Sequence, residues 1–283
     1  MATAELAIDE RLVRRRWRWP TPREWLMFAA QVLLVGMVET GNDIVAGNLV
    51  PPNAGEAVHH ARSVAAFEAS HGFFVEPAIQ QFFAHSPHIL GILLSWHLVT
   101  AATDQVYAFG HIFVTLGVAA WVFVAHRRSF GRLRNVMLLT TLLALVGYEI
   151  FPTAPPRLTT GLLFDGHLVH FRDTMQHIIG DGKLNGVPIA YNAFSAMPSL
   201  HVAWALISAG TLILLARSRA LKVVAALYPA VMVFTVVVTA NHYLMDAIGA
   251  SIAVLLSVVL VLAWERARRV MDSERVLTAE GAA

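Results

Sequence analysis

The chain has no cysteine and little charge: none of its 283 residues is Cys, and 14% are Asp, Glu, Lys or Arg. The first absence excludes a disulfide framework, a thiolate metal site and a cysteine nucleophile. The second is far below the roughly 25% charged residues of a soluble domain. With 57% hydrophobic residues and a mean hydropathy of +0.59, it points to lipid as the solvent. No internal repeat and no low-complexity tract occurs, which argues against a solenoid or an array. A net charge of +2 and a pI near 9.2 look mildly basic. Lys and Arg fall in short runs between apolar segments rather than on one clustered face, so nucleic acid is not an expected partner.

Apolar runs at 25–48, 105–124, 136–151, 199–216, 223–240 and 247–264 each approach the length that crosses a bilayer. The expectation is an all-α polytopic membrane protein with six transmembrane helices. One membrane domain at 25–265 would lie between a basic tail (1–24) and a second tail (266–283), with outer loops at about 49–104 and 152–198. A shorter run at 89–99 cannot cross and reads as an interfacial or re-entrant segment. Of the 21 Lys and Arg, 17 lie before residue 25, at 127–134, at 217–222 or after the last run. Six crossings put all four segments on one side, and the positive-inside rule makes that side, with both termini, cytoplasmic. A seventh crossing at 89–99 would break this parity.

The basic tail and first run could be mistaken for a signal peptide. The run is too long, contains Glu39 and Asp43, and lacks a clear small-x-small cleavage site, so an uncleaved anchor is expected. Trp17, Trp19 and Trp25 read as interface anchors. Residues 55–84 place Val58, Ala61, Ala65 and Phe67 at helical spacing, followed by Phe73, Phe74, Phe82 and Phe83, as an amphipathic segment in the interface would. The loop at 159–192 is Gly-rich, with Phe171, Met175 and Ile178 in a possible short helix. Loops of this length often cap a site, and interfacial packing is the alternative.

Three polar clusters fall at the outer ends of spans: F-P-T-A-P-P-R ending at Arg157, M-P-S-L-H containing Ser199 and His201, and N-H-Y-L-M-D containing His242 and Asp246. Ionisable groups at membrane depth are costly, so three such clusters at one level mark a candidate site. His242 and Asp246, four apart, share a helix face, where the carboxylate orients the imidazole and leaves its other nitrogen as a nucleophile. A structural hydrogen-bonded pair is the alternative. His201 follows Pro198, a residue suited to a first helical turn, so Ser199 and the helix start are expected to face an anion. Arg157 follows a rigid Pro-Pro element, with a headgroup snorkel as its alternative role. Tyr107 and His111, four apart near the outer end of the second span, either line the pocket or pack structurally. Glu39 and Asp43 either bind a polyol or cap their helix.

An Arg cluster, then P-S-x-H, then H-x-x-x-D on successive span ends resembles the type-2 phosphatidic acid phosphatase superfamily, over about residues 148–264. The resemblance implies a six-helical, metal-independent enzyme without cofactor that acts on a lipid-linked phosphate. His242 would attack phosphorus, Asp246 orient it and His201 protonate the leaving oxygen, with Ser199 and Arg157 contacting phosphate. The chain departs from the family pattern at Ile150, where Lys is usual, at Leu158 for Pro, at Leu200 for Gly, and at Thr235-Val236 for Ser-Arg. Two phosphate-binding cations are thus absent. The motifs are closer to the inositol phosphorylceramide synthase branch, which transfers an inositol phosphate head group between lipids. Fewer cations suit a singly charged phosphodiester over a phosphomonoester of nearly two charges, with His111, Arg172 or Lys183 as substitutes. Expected surroundings are the plasma (inner) membrane, an outward-facing site and a phospholipid or other lipid-phosphate substrate. A lipid phosphate or prenyl diphosphate phosphatase is the alternative. From other classes, a transporter with a His–Asp proton relay and a non-catalytic lipid-binding protein remain; relay sites usually lie at midplane on repeated helices.

Overall fold

A computed structural model describes residues 19–44, 53–85, 96–159, 161–164, 167–177, 192–281 and the short strands at 179–180, 183–184 and 187–188. The expectations for Trp17, for Ile178, for the 89–95 part of the short apolar run and for the side chains of Glu39 and Lys183 lie outside the described residues.

The described residues form nine α-helices: α1 (Pro22–Ile44), α2 (Ala54–Ser70), α3 (Glu76–His85), α4 (Trp96–Gln105), α5 (His111–Ala125), α6 (Arg127–Ile150), α7 (Leu200–Leu215), α8 (Arg219–Val238) and α9 (Leu244–Gly281). Their starts are written in the sequence. Thr21 and Glu24 exchange hydrogen bonds across the first turn of α1, a capping box with Pro22 at its first helical position. Asn53 caps α2, and Ser218 caps α8. A π turn at Val106–Gly110 joins α4 to α5 without a break, so Trp96–Ala125 is one continuous apolar helix.

Among the described residues, four helices are long and apolar enough to cross a bilayer: Trp96–Ala125, Arg127–Ile150, Arg219–Val238 and Leu244–Glu274. Their outer faces display Leu142, Val146, Ile252, Leu255 and Val259. Water would penalise such continuous apolar surface, and lipid does not. α7 is shorter, 16 residues or about 24 Å, and its first ten residues are largely buried. Its small Ala203, Ala205 and Ala209 let α5, α6, α8 and α9 approach closely around it.

Three boundaries differ from the sequence expectation. The second apolar helix already runs at Trp96, and α4 carries it through the polar residues around Asp104 before the π turn. The basic stretch at 127–134 forms the first two turns of α6 rather than a connecting turn. There Arg127 pairs with Glu24 at 2.7 Å, Arg132 with Glu265 at 2.6 Å, and Arg134 donates to Gln31. These contacts gather the starts of α1 and α6 and the far part of α9 at one end of the bundle. The 159–192 loop forms two small antiparallel sheets, β1 (Leu162–Phe164) with β2 (His167–Val169), and β3 (Ile179–Gly180), β4 (Lys183–Leu184) and β5 (Val187–Pro188) in that order. Phe171 and Met175 are buried beside them, Met175 in a 3₁₀ turn.

The other end of the bundle is roofed by α2 and α3. α2 buries Ala57, Ala61, Val64, Ala65 and Glu68, so the face expected from Ala61 and Ala65 is the inner one, whereas Phe67 is exposed. It rests on protein: Ala154 N–H donates to the Ala57 carbonyl, and His60 Nδ1 lies 2.8 Å from the Pro152 carbonyl with its ring stacked on Phe151.

Candidate active site

The three polar clusters meet under this roof. Residues 151–159 leave α6, and the Thr153 N–H donates to the Phe194 carbonyl, which brings the segment before α7 alongside. The Tyr148 hydroxyl donates to the Pro198 carbonyl at 3.0 Å. Pro198 then nests between two glycines: a Cβ on Gly147 would stand 2.8 Å from its Cδ, and one on Gly249 would touch its Cβ at 3.4 Å. Glycine allows this close approach of helix and loop.

His242 precedes α9 rather than lying within it. The helix begins at Leu244, so the expected pairing of residues four apart on one helix face becomes a turn residue reaching back over the first helical turn. Asp246 Oδ2 accepts the Tyr243 N–H at 2.9 Å and faces His242 Nδ1 at 3.2 Å. The shorter contact of Nδ1, at 2.7 Å, is the Ala196 carbonyl. A carbonyl can only accept, so Nδ1 carries the proton and Nε2 is left with its lone pair. Both side chains are buried, Asp246 completely.

Ser199 is the N-terminal cap of α7. Its hydroxyl accepts the Val202 N–H at 3.4 Å, its own N–H donates to the Asp246 carbonyl, and it is fully buried. Pro198 stands before that cap, one step outside the first turn expected for it.

His201 lies one residue into α7. Tyr107 stacks on it with ring centroids 4.0 Å apart, His111 lies at 4.2 Å and His242 at 6.0 Å. The π turn carries Tyr107 and leads directly into His111, presenting both to the same partner. His111 Nδ1 is 2.7 Å from the Tyr107 carbonyl.

Arg157 sits in a 3₁₀ turn. Its N–H donates to the Ala240 carbonyl, its Nε donates to Asn241 Oδ1 at 2.9 Å, and Asp173 lies 3.9 Å from its guanidinium. Ala240 has φ of 53°, a left-handed conformation costing about 1–2 kcal/mol in a residue with a Cβ. That local cost turns the chain from α8 so that Asn241 and His242 point back into the bundle.

The structure therefore brings Tyr107, His111, Arg157, Ser199, His201, His242 and Asp246 to one end of the bundle. The Arg172 guanidinium lies over the Trp96 ring. Asp43 accepts the Asn192 N–H, which ties the end of α1 to the loop. Together with His111 and Trp204, Asp43 lines an apolar cavity of about 540 Å³ between α1, α5 and α6.

Sequence reasoning assigned no part to Ala196 or to Glu68 and Glu76. A carbonyl leaves no mark in a sequence, but two acids in an apolar amphipathic segment do, because buried Glu is rare unless partnered. Both are fully buried, and they bond the start of α9. Burial beside them also pushes the Tyr243 phenol above the ordinary tyrosine range, while its oxygen shares a hydrogen bond with Thr159.

A family model described as the PAP2 superfamily matches residues 62–260. No curated protein and no solved structure matches. The match spans well over half the chain, from the roof helices through α9, and on that ground the chain belongs to the PAP2 superfamily, whose members are phosphatases of membrane lipids.

Proposed function

We propose that the protein is a head-group phosphotransferase of the inositol phosphate type, acting on a lipid-linked phosphate through a phosphohistidine on His242. One observation carries this reading: the His242 Nδ1–H is held by the Ala196 carbonyl and Asp246, so Nε2 is the nucleophile, and His201 stands beside it. Nε2 attacks phosphorus and the bond to the leaving oxygen breaks as His201 supplies that oxygen with a proton. Asp246 meets the positive charge that develops on the imidazole. A hydroxyl then attacks the phosphohistidine, giving up its proton to His201 and restoring His242. A lipid or polyol hydroxyl makes the reaction a transfer, and water makes it a hydrolysis.

The charge count supports the diester. Among the described residues the cluster holds one guanidinium, Arg157, already faced by Asp173. A single cation balances a phosphodiester better than a phosphomonoester of nearly two charges. Ser199, Tyr107 and His111 complete the lining, Ser199 by fixing the start of α7. The apolar cavity beside His111 suits a hydrocarbon tail running along the helices. We further propose six spans, adding α1 and α7 to the four long helices, with both termini cytoplasmic and the site facing outward from the plasma (inner) membrane. The Arg-rich end formed by α1, α6 and α9 supports this orientation.

Phosphorus NMR of the detergent-purified protein, given phosphatidylinositol, phosphatidic acid and diacylglycerol, tests the reading beside His242→Ala. A new phosphodiester signal without inorganic phosphate, absent in the variant, is the expected result. Inorganic phosphate alone would make it a lipid phosphatase, and turnover by His242→Ala would overturn the mechanism.

A further inference from the structure

Glu68 on α2 and Glu76 on α3 are fully buried, yet no cation faces them among the described residues. Glu76 Oε1 accepts the Leu244 N–H at 2.7 Å and Glu68 Oε1 accepts the Met245 N–H at 2.6 Å. These are the first two amides of α9, groups that a helix cannot satisfy from within. The two carboxyl groups interact with each other, and neither Oε2 has a hydrogen-bond partner. Two adjacent buried carboxyl groups without a donor or cation for their Oε2 atoms do not both ionise, so one keeps its proton. The pair is therefore an acid and its conjugate base, one negative charge at the positive end of the α9 dipole.

We propose that Glu68 and Glu76, sharing one proton, are positioning residues for the His242 nucleophile, clamping the first turn of α9 from the roof helices. The inference rests on His242 being the nucleophile. His242 and Tyr243 immediately precede the two clamped amides, and Asp246 lies one residue beyond them. The clamp thus fixes the turn across which Asp246 reaches His242. The titratable groups facing the pair are Asp246 and Tyr243. Burial, and for Glu68 the neighbouring Glu76 charge, push both carboxyls above the ordinary carboxylate range. Loss of the shared proton would set two buried carboxylates against each other and against Asp246. The roof would part from α9, and turnover would fall at alkaline pH.

The test compares wild type with Glu68→Gln, Glu68→Ala and His242→Ala in detergent, with phosphatidylinositol and diacylglycerol as probes. Glutamine keeps the acceptor for Met245 and donates permanently to Glu76. Glu68→Gln is expected to keep neutral-pH turnover within a few-fold and to carry its alkaline limb to higher pH. Glu68→Ala should lose roughly a hundredfold in kcat, the scale of a one-ångström misplacement, with KM little changed. A protonated-carboxyl stretching band in the infrared spectrum at neutral pH should vanish in Glu68→Gln and persist in His242→Ala. That spectrum needs no catalysis, so it judges the pair even if turnover by His242→Ala removes the nucleophile. No such band in the wild type, an unmoved alkaline limb in Glu68→Gln, or equal loss in Gln and Ala would overturn the proposal.

Discussion

Replacing Asp246 by asparagine should cost only about five- to twelvefold in kcat, and the reason lies in Ala196. In a His–Asp pair where the carboxylate alone sets the tautomer, such a change costs roughly 10⁴-fold, because the wrong nitrogen is left protonated. Here the Ala196 carbonyl holds Nδ1–H at 2.7 Å, closer than Asp246 at 3.2 Å, and it survives the substitution. What is lost is charge. Hydrogen bonds to charged groups are worth about 1.5–3 kcal/mol against about 0.5–1.5 for neutral ones, and the difference of about 1–1.5 kcal/mol is about five- to twelvefold. Stability falls separately. The Asn oxygen must accept the Tyr243 N–H, which puts the amide NH₂ where Oδ1 lies buried without a partner, at a cost of about 1–3 kcal/mol. The assay is kcat on phosphatidylinositol with diacylglycerol at saturating substrate, beside thermal unfolding in the same detergent. A 10⁴-fold loss would show that Ala196 does not hold the tautomer, and a loss under twofold would show that Asp246 plays only a structural part.

Gly147→Ala should lower both stability and turnover, since its Cβ would meet Pro198 Cδ at 2.8 Å and push away the segment that carries Ala196; thermal unfolding and kcat measure it, and a neutral outcome would show the loop to be pliable. Arg157→Lys should behave nearly as Arg157→Ala, because a lysine cannot hold Asn241 through Nε while facing phosphate; near-wild-type KM in the lysine variant would refute this. Stability should fall as pH rises: Glu68 has a folded pKa raised from 4.5 to about 9, so folding takes up a proton, and the stabilisation present below 4.5 is lost progressively towards about 9. Thermal unfolding across that window should show the slope, and Glu68→Gln should flatten it.

The membrane class and the existence of long apolar helices were legible because both rest on composition and on runs whose length the bilayer sets. The capping box at Thr21 and Glu24 and the cap at Ser218 were equally local. The small sheets in the 159–192 loop were not, since strands of two or three residues carry no periodicity to read. The site was half legible. Arg157, His201, His242 and Asp246 stood out as ionisable residues at the ends of apolar runs, where their cost demands a reason.

What the sequence by itself determined is which residue types stand at which span ends, and so which chemistry is available. Tertiary structure alone decided that α9 begins two residues after His242, turning a helical pair into a bridged turn, and that Ser199 closes a helix. It also decided that the nearest partner of the His242 ring is a carbonyl 46 residues away, and that the α9 amides are met by acids 168 and 177 residues away. The physical reason is reach. Periodicity and capping act within a few turns, whereas a buried N–H or carboxyl takes whatever partner the packed bundle brings within hydrogen-bond distance.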